Sequence, residues 1–149
     1  KEGDGWAQGM AELAYERSGP ERFLSTFPLL NELINSLHEC GDHHGLMAVS
    51  RLAARLWSLR NISLGIAVQL EKDVPSNLTA SLVKDMGTQF EQEIAEFARD
   101  YTSVIPSVHS TNRLSRLMAE SILQSPGFTL RGGTTEILRG IIGKGVLKA

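Results

Sequence analysis

Two stretches of this 149-residue chain carry residue types at spacings that suit chemistry. The first is Leu130-Arg131-Gly132-Gly133-Thr134-Thr135-Glu136-Ile137-Leu138-Arg139. Adjacent glycines let a backbone approach a ligand closely, and threonine opens a helix whose first N–H groups are unpaired and face outward. Such a turn suits phosphate or another electronegative group. An ordinary Gly-Gly turn with a threonine cap accounts for the same residues. The second stretch is Gly5-Trp6 followed by Glu12-Leu13-Ala14-Tyr15-Glu16-Arg17-Ser18. Read by itself, it is an amphipathic helix that ends on a surface Glu–Arg pair.

Other reactive residue types form no site. His38, His43 and His44 crowd one connector, but no helix carries a carboxylate and a histidine at ligand spacing, so no metal is expected. The run from Gly140 to Lys144 lacks the glycine spacing of a P-loop. The lone Cys40 has no evident base partner, and one cysteine excludes an internal disulfide framework or a four-cysteine zinc site. Asn61 and Asn77 each open a glycosylation pattern, which has no meaning without a signal peptide.

The elements that position these residues read as helices throughout. Trp6 to about Arg17 is a first helix with Met10, Leu13 and Ala14 on one face, broken by Ser18-Gly19-Pro20. A second runs from about Glu21 to Leu37, with Pro28 as an internal kink, and Cys40-Gly41-Asp42 connects it onward. A long helix over 43–71 spaces Val49, Leu52, Leu56, Leu59, Ile62, Ile66 and Leu70 by three or four. Val74-Pro75-Ser76-Asn77 is the next loop, with Ser76 or Asn77 as N-cap. The helix over 78–101 carries the stripe Leu78, Leu82, Met86, Phe90, Ile94, Phe97 and Tyr101, with Glu91, Glu93, Glu96 and Asp100 mainly off it. Ile105-Pro106 ends that region. A shorter helix spans 111–123, and Ser125-Pro126-Gly127 stops it. Residues 128–133 link to a last helix that starts at Thr134 or Thr135 and keeps Ile137, Leu138, Ile141, Ile142 and Val146 apolar. The expectation is an all-α, up-and-down bundle, with a four-helix core plus a C-terminal helix, in one domain over 1–149.

Composition narrows the function classes. Lys plus Arg is 15 against 17 for Asp plus Glu, a formal net charge of −2, which argues against nucleic acid or an anionic membrane as main partner. A hydrophobic share of 42% supplies one core and is too high for a disordered chain. No apolar run approaches the roughly 18 residues of a membrane span. The opening Lys1-Glu2-Gly3-Asp4-Gly5 has no apolar segment behind a basic start, so no signal peptide is expected. The expectation is a cytoplasmic, reducing compartment. The first residue is not Met, so the expectation is a piece of something longer.

In this order and at this separation, the two stretches resemble the C-terminal all-helical domain of flavin-dependent acyl-CoA dehydrogenases. Gly5-Trp6 to Glu16-Arg17 looks like the first helix of that domain, and Gly132-Gly133-Thr134-Thr135-Glu136-Ile137-Leu138-Arg139 like the start of its last. The stretch from Arg51 to Arg60 is similar to the family's long second helix, so the likeness spans about Gly5 to Leu147. Family members remove a proton alpha to the thioester carbonyl with a carboxylate while a hydride passes from the beta carbon to the flavin, giving an enoyl-CoA. Many place that carboxylate at the position of Gly132, which has no side chain here. A minority place it on the first helix immediately before an Arg, and the two positions face the same substrate atom. The resemblance therefore implies Glu16 as base, Arg17 as a substrate-pocket residue, and Gly133, Thr134 and Glu136 as FAD contacts. Glu136 would accept from a ribose hydroxyl rather than meet a phosphate.

The resemblance also implies an acyl-CoA substrate, an electron-transfer flavoprotein as acceptor, and a homo- or hetero-oligomer built through the bundle. The run Glu16 to Phe23 is similar to actinobacterial members that act on bulky acyl-CoAs such as steroid side chains. One departure stands out: the family's Arg-x-x-Phe-Gly stretch, which grips the flavin dinucleotide across a subunit interface, corresponds to Gly41-Asp42-His43-His44-Gly45, with no Arg. A heteromer whose other subunit supplies that grip is one explanation. Whole family enzymes add an N-terminal helical domain and a middle β-domain, absent from this chain, so the chain alone is expected to hold no stoichiometric FAD and to turn nothing over. An acyl-CoA oxidase-type domain and a non-catalytic oligomerisation module are the alternatives.

Overall fold

The structure, a computed structural model, describes residues 3–72, 74 and 76–147, without the side chains of Trp6, Ala7 and Met10. The parts played by Met10 in the first helix's apolar face and by Pro75 in its loop lie outside the described residues. Among the described residues there are six α-helices and no strand: α1 Gly5–Ser18, α2 Phe27–Glu39, α3 His43–Leu70, α4 Asn77–Tyr101, α5 Arg113–Phe128 and α6 Thr135–Val146. A short 3-10 turn, Pro20–Arg22, follows α1. The chain is an all-α helical bundle. No helix among the described residues is long and apolar enough to cross a membrane.

Local chemistry sets the boundaries. Gly19 leaves α1 in an extended conformation (ψ 151°), and Pro20 opens the 3-10 turn. The second helix begins at Phe27 rather than Glu21, and Pro28 sits in its first turn, so it does not kink the helix. A proline there forfeits only an N–H that has no intrahelical partner. Asp42 caps α3 by accepting from Gly45 N at 2.9 Å, and Asn112 caps α5 by accepting from Ser115 N at 3.0 Å. Ser76 precedes α4 but spends its hydroxyl on Val74 O and Gln69 Oε1 instead of capping. Ser125-Pro126-Gly127 does not stop α5, which runs to Phe128. Pro126 falls in the last turn, where its missing donor costs a single bond, and the Pro126 and Gly127 carbonyls accept from Thr129, Leu130 and Arg131 N.

The core joins Leu29, Leu30, Leu33 and Leu37 of α2, Val49, Leu52, Leu59 and Ile66 of α3, Phe90, Ile94 and Ala98 of α4, and Leu114 and Met118 of α5. Around that four-helix core, α1 leans on α3 and α4, and α6 on α4. Helix α4 therefore has neighbours on nearly every side. This corrects its expected face. Leu78, Leu82 and Tyr101 are exposed, whereas Glu91 is fully buried together with Lys84. Small residues make the crowding feasible. A Cβ on Gly87 would lie 2.4 Å from the carbonyl oxygen of Arg22, so only glycine lets the 3-10 turn lie on α4.

A buried polar corner as the candidate functional site

The end of α1, the 3-10 turn, the first half of α4 and the turn before α6 meet at one corner. Arg17 is buried there. Its Nε donates to Gly132 O at 2.8 Å and its Nη1 to Asn77 Oδ1 at 2.7 Å and Ser81 Oγ at 3.4 Å. Burial pulls the Arg17 pKa down while the neighbouring Glu16 charge opposes that pull. One guanidinium thus joins α1, the first turns of α4 and the glycine turn.

Gly132 and Gly133 both adopt positive φ, at 68° and 108°. Side chains rarely accept that backbone, so the glycine pair is conformational as well as spatial. A Cβ placed on Gly132 would meet Lys84 Cε at 3.5 Å, Glu16 Oε1 at 3.6 Å and Arg17 Cγ at 3.7 Å. The Glu16 side chain is 44% exposed and its carboxylate accepts from Arg22 Nη2 at 2.6 Å, while Arg22 Nε donates to the Glu16 backbone carbonyl at 2.8 Å. The structure brings Glu16, Arg17 and Gly132 together. It does not give Glu16 a dry pocket, and it turns the Arg17 guanidinium onto protein groups.

Behind the turn lies a second layer. Lys84 Nζ donates to Thr88 Oγ1 and, at 2.7 Å, to Phe128 O. Burial, with repulsion from Arg131 and Arg22, pulls the Lys84 pKa down to about 8, against the opposing charges of Glu91 and Asp85. Glu91 accepts from Ser25 N at 2.9 Å and from Arg131 Nη2, whose guanidinium also lies 4.7 Å from the Phe128 ring centre. Asp85 accepts from Gln89 Nε2 at 2.9 Å and pairs with Arg139. Sequence reasoning missed Arg22, Lys84, Glu91 and Arg131. The signal was Lys84, Thr88 and Glu91 at i, i+4 and i+7, one face of a helix, interleaved with core positions.

Thr134 caps α6 by accepting from Ile137 N at 3.5 Å. The exposed Glu136 carboxyl accepts from its own backbone N–H and from the Thr134 hydroxyl, which hold its pKa below the usual carboxylate range. A negative charge therefore already lies over this helix N-terminus. That donor and acceptor set fits a sugar hydroxyl, such as the ribose of FAD, and repels a phosphate.

The adjoining face of α1 borders an apolar cleft of about 620 Å³ between α1, the 3-10 turn and α3, lined by Tyr15, Phe23, Phe27, Leu56, Leu64 and Leu70 among others. Its hydroxyls are already engaged: Ser18 Oγ donates to Ala14 O at 2.8 Å and Ser63 Oγ to Ser18 O at 2.5 Å. Among the described residues no group of three or more His, Cys, Asp and Glu stands placed to hold a metal ion.

This combination of an all-α bundle and a buried polar corner is the class the chain defines. Compared with known proteins, the chain matches no family model, no curated protein and no solved structure.

Proposed function

We propose that this chain is the C-terminal helical domain of a flavin-dependent acyl-CoA dehydrogenase in which Glu16 takes the alpha proton of an acyl-CoA thioester. One observation carries the reading: Glu16 Oε1 lies 3.6 Å from where a side chain at Gly132 would begin. The two alternative carboxylate positions implied by the resemblance thus converge on one point in space. Arg22 orients the Glu16 carboxylate, and Arg17 fixes the turn opposite it. Arg17 is thereby a positioning residue rather than a substrate contact. Gly133, Thr134 and Glu136 would hold the ribose part of FAD. The chemistry a bound flavin supplies is acceptance of the beta hydride. The apolar cleft beside α1 suits a bulky hydrocarbon acyl group. An electron-transfer flavoprotein as acceptor and a cytoplasmic, reducing setting complete the reading.

The test is reduction of the flavin by acyl-CoA in the intact flavoprotein that contains this chain. Glu16→Gln should keep the flavin and bind acyl-CoA, yet slow reduction by about 10²–10⁴-fold or more. Glu12→Gln, one turn earlier, should cost far less. Near-normal reduction in Glu16→Gln would remove Glu16 as base.

A second reading is a non-catalytic subunit of a heteromer. It is favoured by the half-exposed, Arg22-bound state of Glu16 and by the outward apolar side chains Met47, Trp57, Leu64 and Val68 on α3. Either reading has the chain associating through exposed apolar residues, Ile137 and Val146 of α6 among them. A clean monomer by sedimentation at high micromolar concentration would contradict it.

A further inference from the structure

We propose that Lys84 is the positioning residue of this corner: it clamps the end of α5 onto α4 and holds the Gly132 turn against Glu16, and the closed form gains on the open one as the Lys84 proton leaves. The geometry is that of a clamp. The Lys84 side chain is 1% exposed, its Nζ reaches Phe128 O at 2.7 Å, and its Cε lies 3.5 Å from the Cβ position of Gly132. Phe128 ends α5, so this carbonyl is where the chain leaves the core for the turn. Thr88 Oγ1 donates to the same carbonyl at 3.0 Å. An ammonium has three donors, and among the described residues two acceptors, Thr88 Oγ1 and Phe128 O, meet this one. A neutral amine has two donors and leaves no surplus charge buried.

The charged groups facing Lys84 agree. Arg131 comes from the turn and Arg22 from the 3-10 turn, both repelling it, while Glu91 and Asp85 on its own helix attract it. Glu91 is already paired with Arg131 and Asp85 with Arg139 of α6. On the α1 side, Glu16 is paired with Arg22, and Arg17 is bonded to Gly132 O. Among the described residues the Lys84 ammonium, like the Arg17 guanidinium, has no carboxylate in ion-pair contact, and it has fewer polar partners than Arg17.

The direction of the pH effect follows by linkage. In the closed corner burial holds the Lys84 pKa down at about 8; solvation of the ammonium on opening removes that cause and returns it toward the ordinary 10.5. Between those values the open form binds the extra proton, so raising the pH favours the closed form. Opening is most frequent at and below neutral pH and falls about tenfold between pH 7 and pH 9.

The clamp takes its catalytic meaning from the reading of Glu16 given above, but its test does not depend on that reading. Arg131–Gly132 is a trypsin site that is protected while the turn is closed. Cleavage after Arg131 in the 149-residue chain, normalised at each pH to a free peptide of residues 126–137, should fall about tenfold from pH 7 to pH 9. In Lys84→Met the normalised rate should be flat over that range. As a measurement on the unmutated chain, the Lys84 ε-carbon resonance should titrate near 8, with the Gly132 and Gly133 amides moving at the same midpoint. A flat rate in the unmutated chain, a Lys84 midpoint near 10.5, or a pH dependence that survives Lys84→Met would each overturn the clamp. If cleavage is flat while Glu16→Gln abolishes flavin reduction, the clamp fails and the catalytic reading stands. If cleavage behaves as expected while Glu16→Gln reduces flavin normally, the reverse holds.

Discussion

Helices α3 and α4 are of similar length and lie side by side, yet they divide polar from apolar residues in opposite ways. Helix α3 buries Val49, Leu52, Leu59 and Ile66 and leaves its other faces to solvent, including Trp57, Leu64 and Val68. Helix α4 buries Lys84, Asp85 and Glu91 alongside Phe90 and Ile94, and leaves Leu78 and Leu82 partly outside. The difference is one of neighbours. Helix α3 meets the rest of the bundle along one side, so hydrophobic burial does most to position it, with few polar ties such as Ser63 Oγ to Ser18 O. Helix α4 is enclosed by α1, α3, α5 and α6, and the groups that meet it from the corner are polar. Its position therefore depends on completed ion pairs and hydrogen bonds as well as on area.

The largest test of that contrast is Glu91→Ala. It would leave the partly buried Arg131 without its carboxylate, Ser25 N without its acceptor and a void where the fully buried Glu91 stood, at a cost of about 3–5 kcal/mol by chemical denaturation. A loss below 1 kcal/mol would mean the pair contributes no more than a surface one. Next is the pH dependence of global stability. The folded Lys84 pKa of about 8 lies below the ordinary 10.5, so its cost is fully present below pH 8. Stability should then rise by up to about 3 kcal/mol as the pH climbs from 8 toward 10.5. Lys84→Met should remove that rise, seen as the shift of urea midpoint with pH. Gly87→Ala comes third. The added methyl meets a backbone carbonyl rather than a flexible side chain, and the expected cost is about 1–3 kcal/mol in melting experiments. The smallest effect belongs to α3: Trp57→Ala should change stability by less than about 0.5 kcal/mol in dilute solution. A larger loss there would show that the outer face of α3 is covered.

The same contrast explains what could be read from the residues beforehand. The core face of α3 was largely legible because one-sided burial writes itself as a three-four repeat: Val49, Leu52, Leu59 and Ile66 are buried where expected and Leu56 and Leu70 partly so, while Ile62 is exposed and its neighbour Ser63 is buried instead. The glycine turn was legible for its backbone, since Gly132 and Gly133 both sit at positive φ. Helix α4 misled because periodicity scores a charge as an outward residue and has no means of pairing Glu91 with an arginine 40 positions away. Pro28 and Pro126 misled for a different reason. Proline penalises a helix interior, and each falls in an end turn where the penalty is small or absent. Glu16, Arg17 and Gly132 were singled out by type and order, but the bond that joins two of them is visible only in three dimensions.

That bond, from Arg17 to Gly132, connects residues 115 positions apart. Three of the core's helix pairs, α2 with α3, α3 with α4 and α4 with α5, are neighbours in the chain, and α5 closes the core back onto α2. Closing a loop of more than a hundred residues is entropically dearer than docking successive helices, so the bundle's centre has every advantage in forming first. During synthesis Gly132 leaves the ribosome after all four core helices, and the corner has to wait for it. Assembly of the candidate site thus reports that synthesis has passed the glycine turn: a product released short of residue 132 still contains the residues of all four core helices but has no turn to set against Glu16.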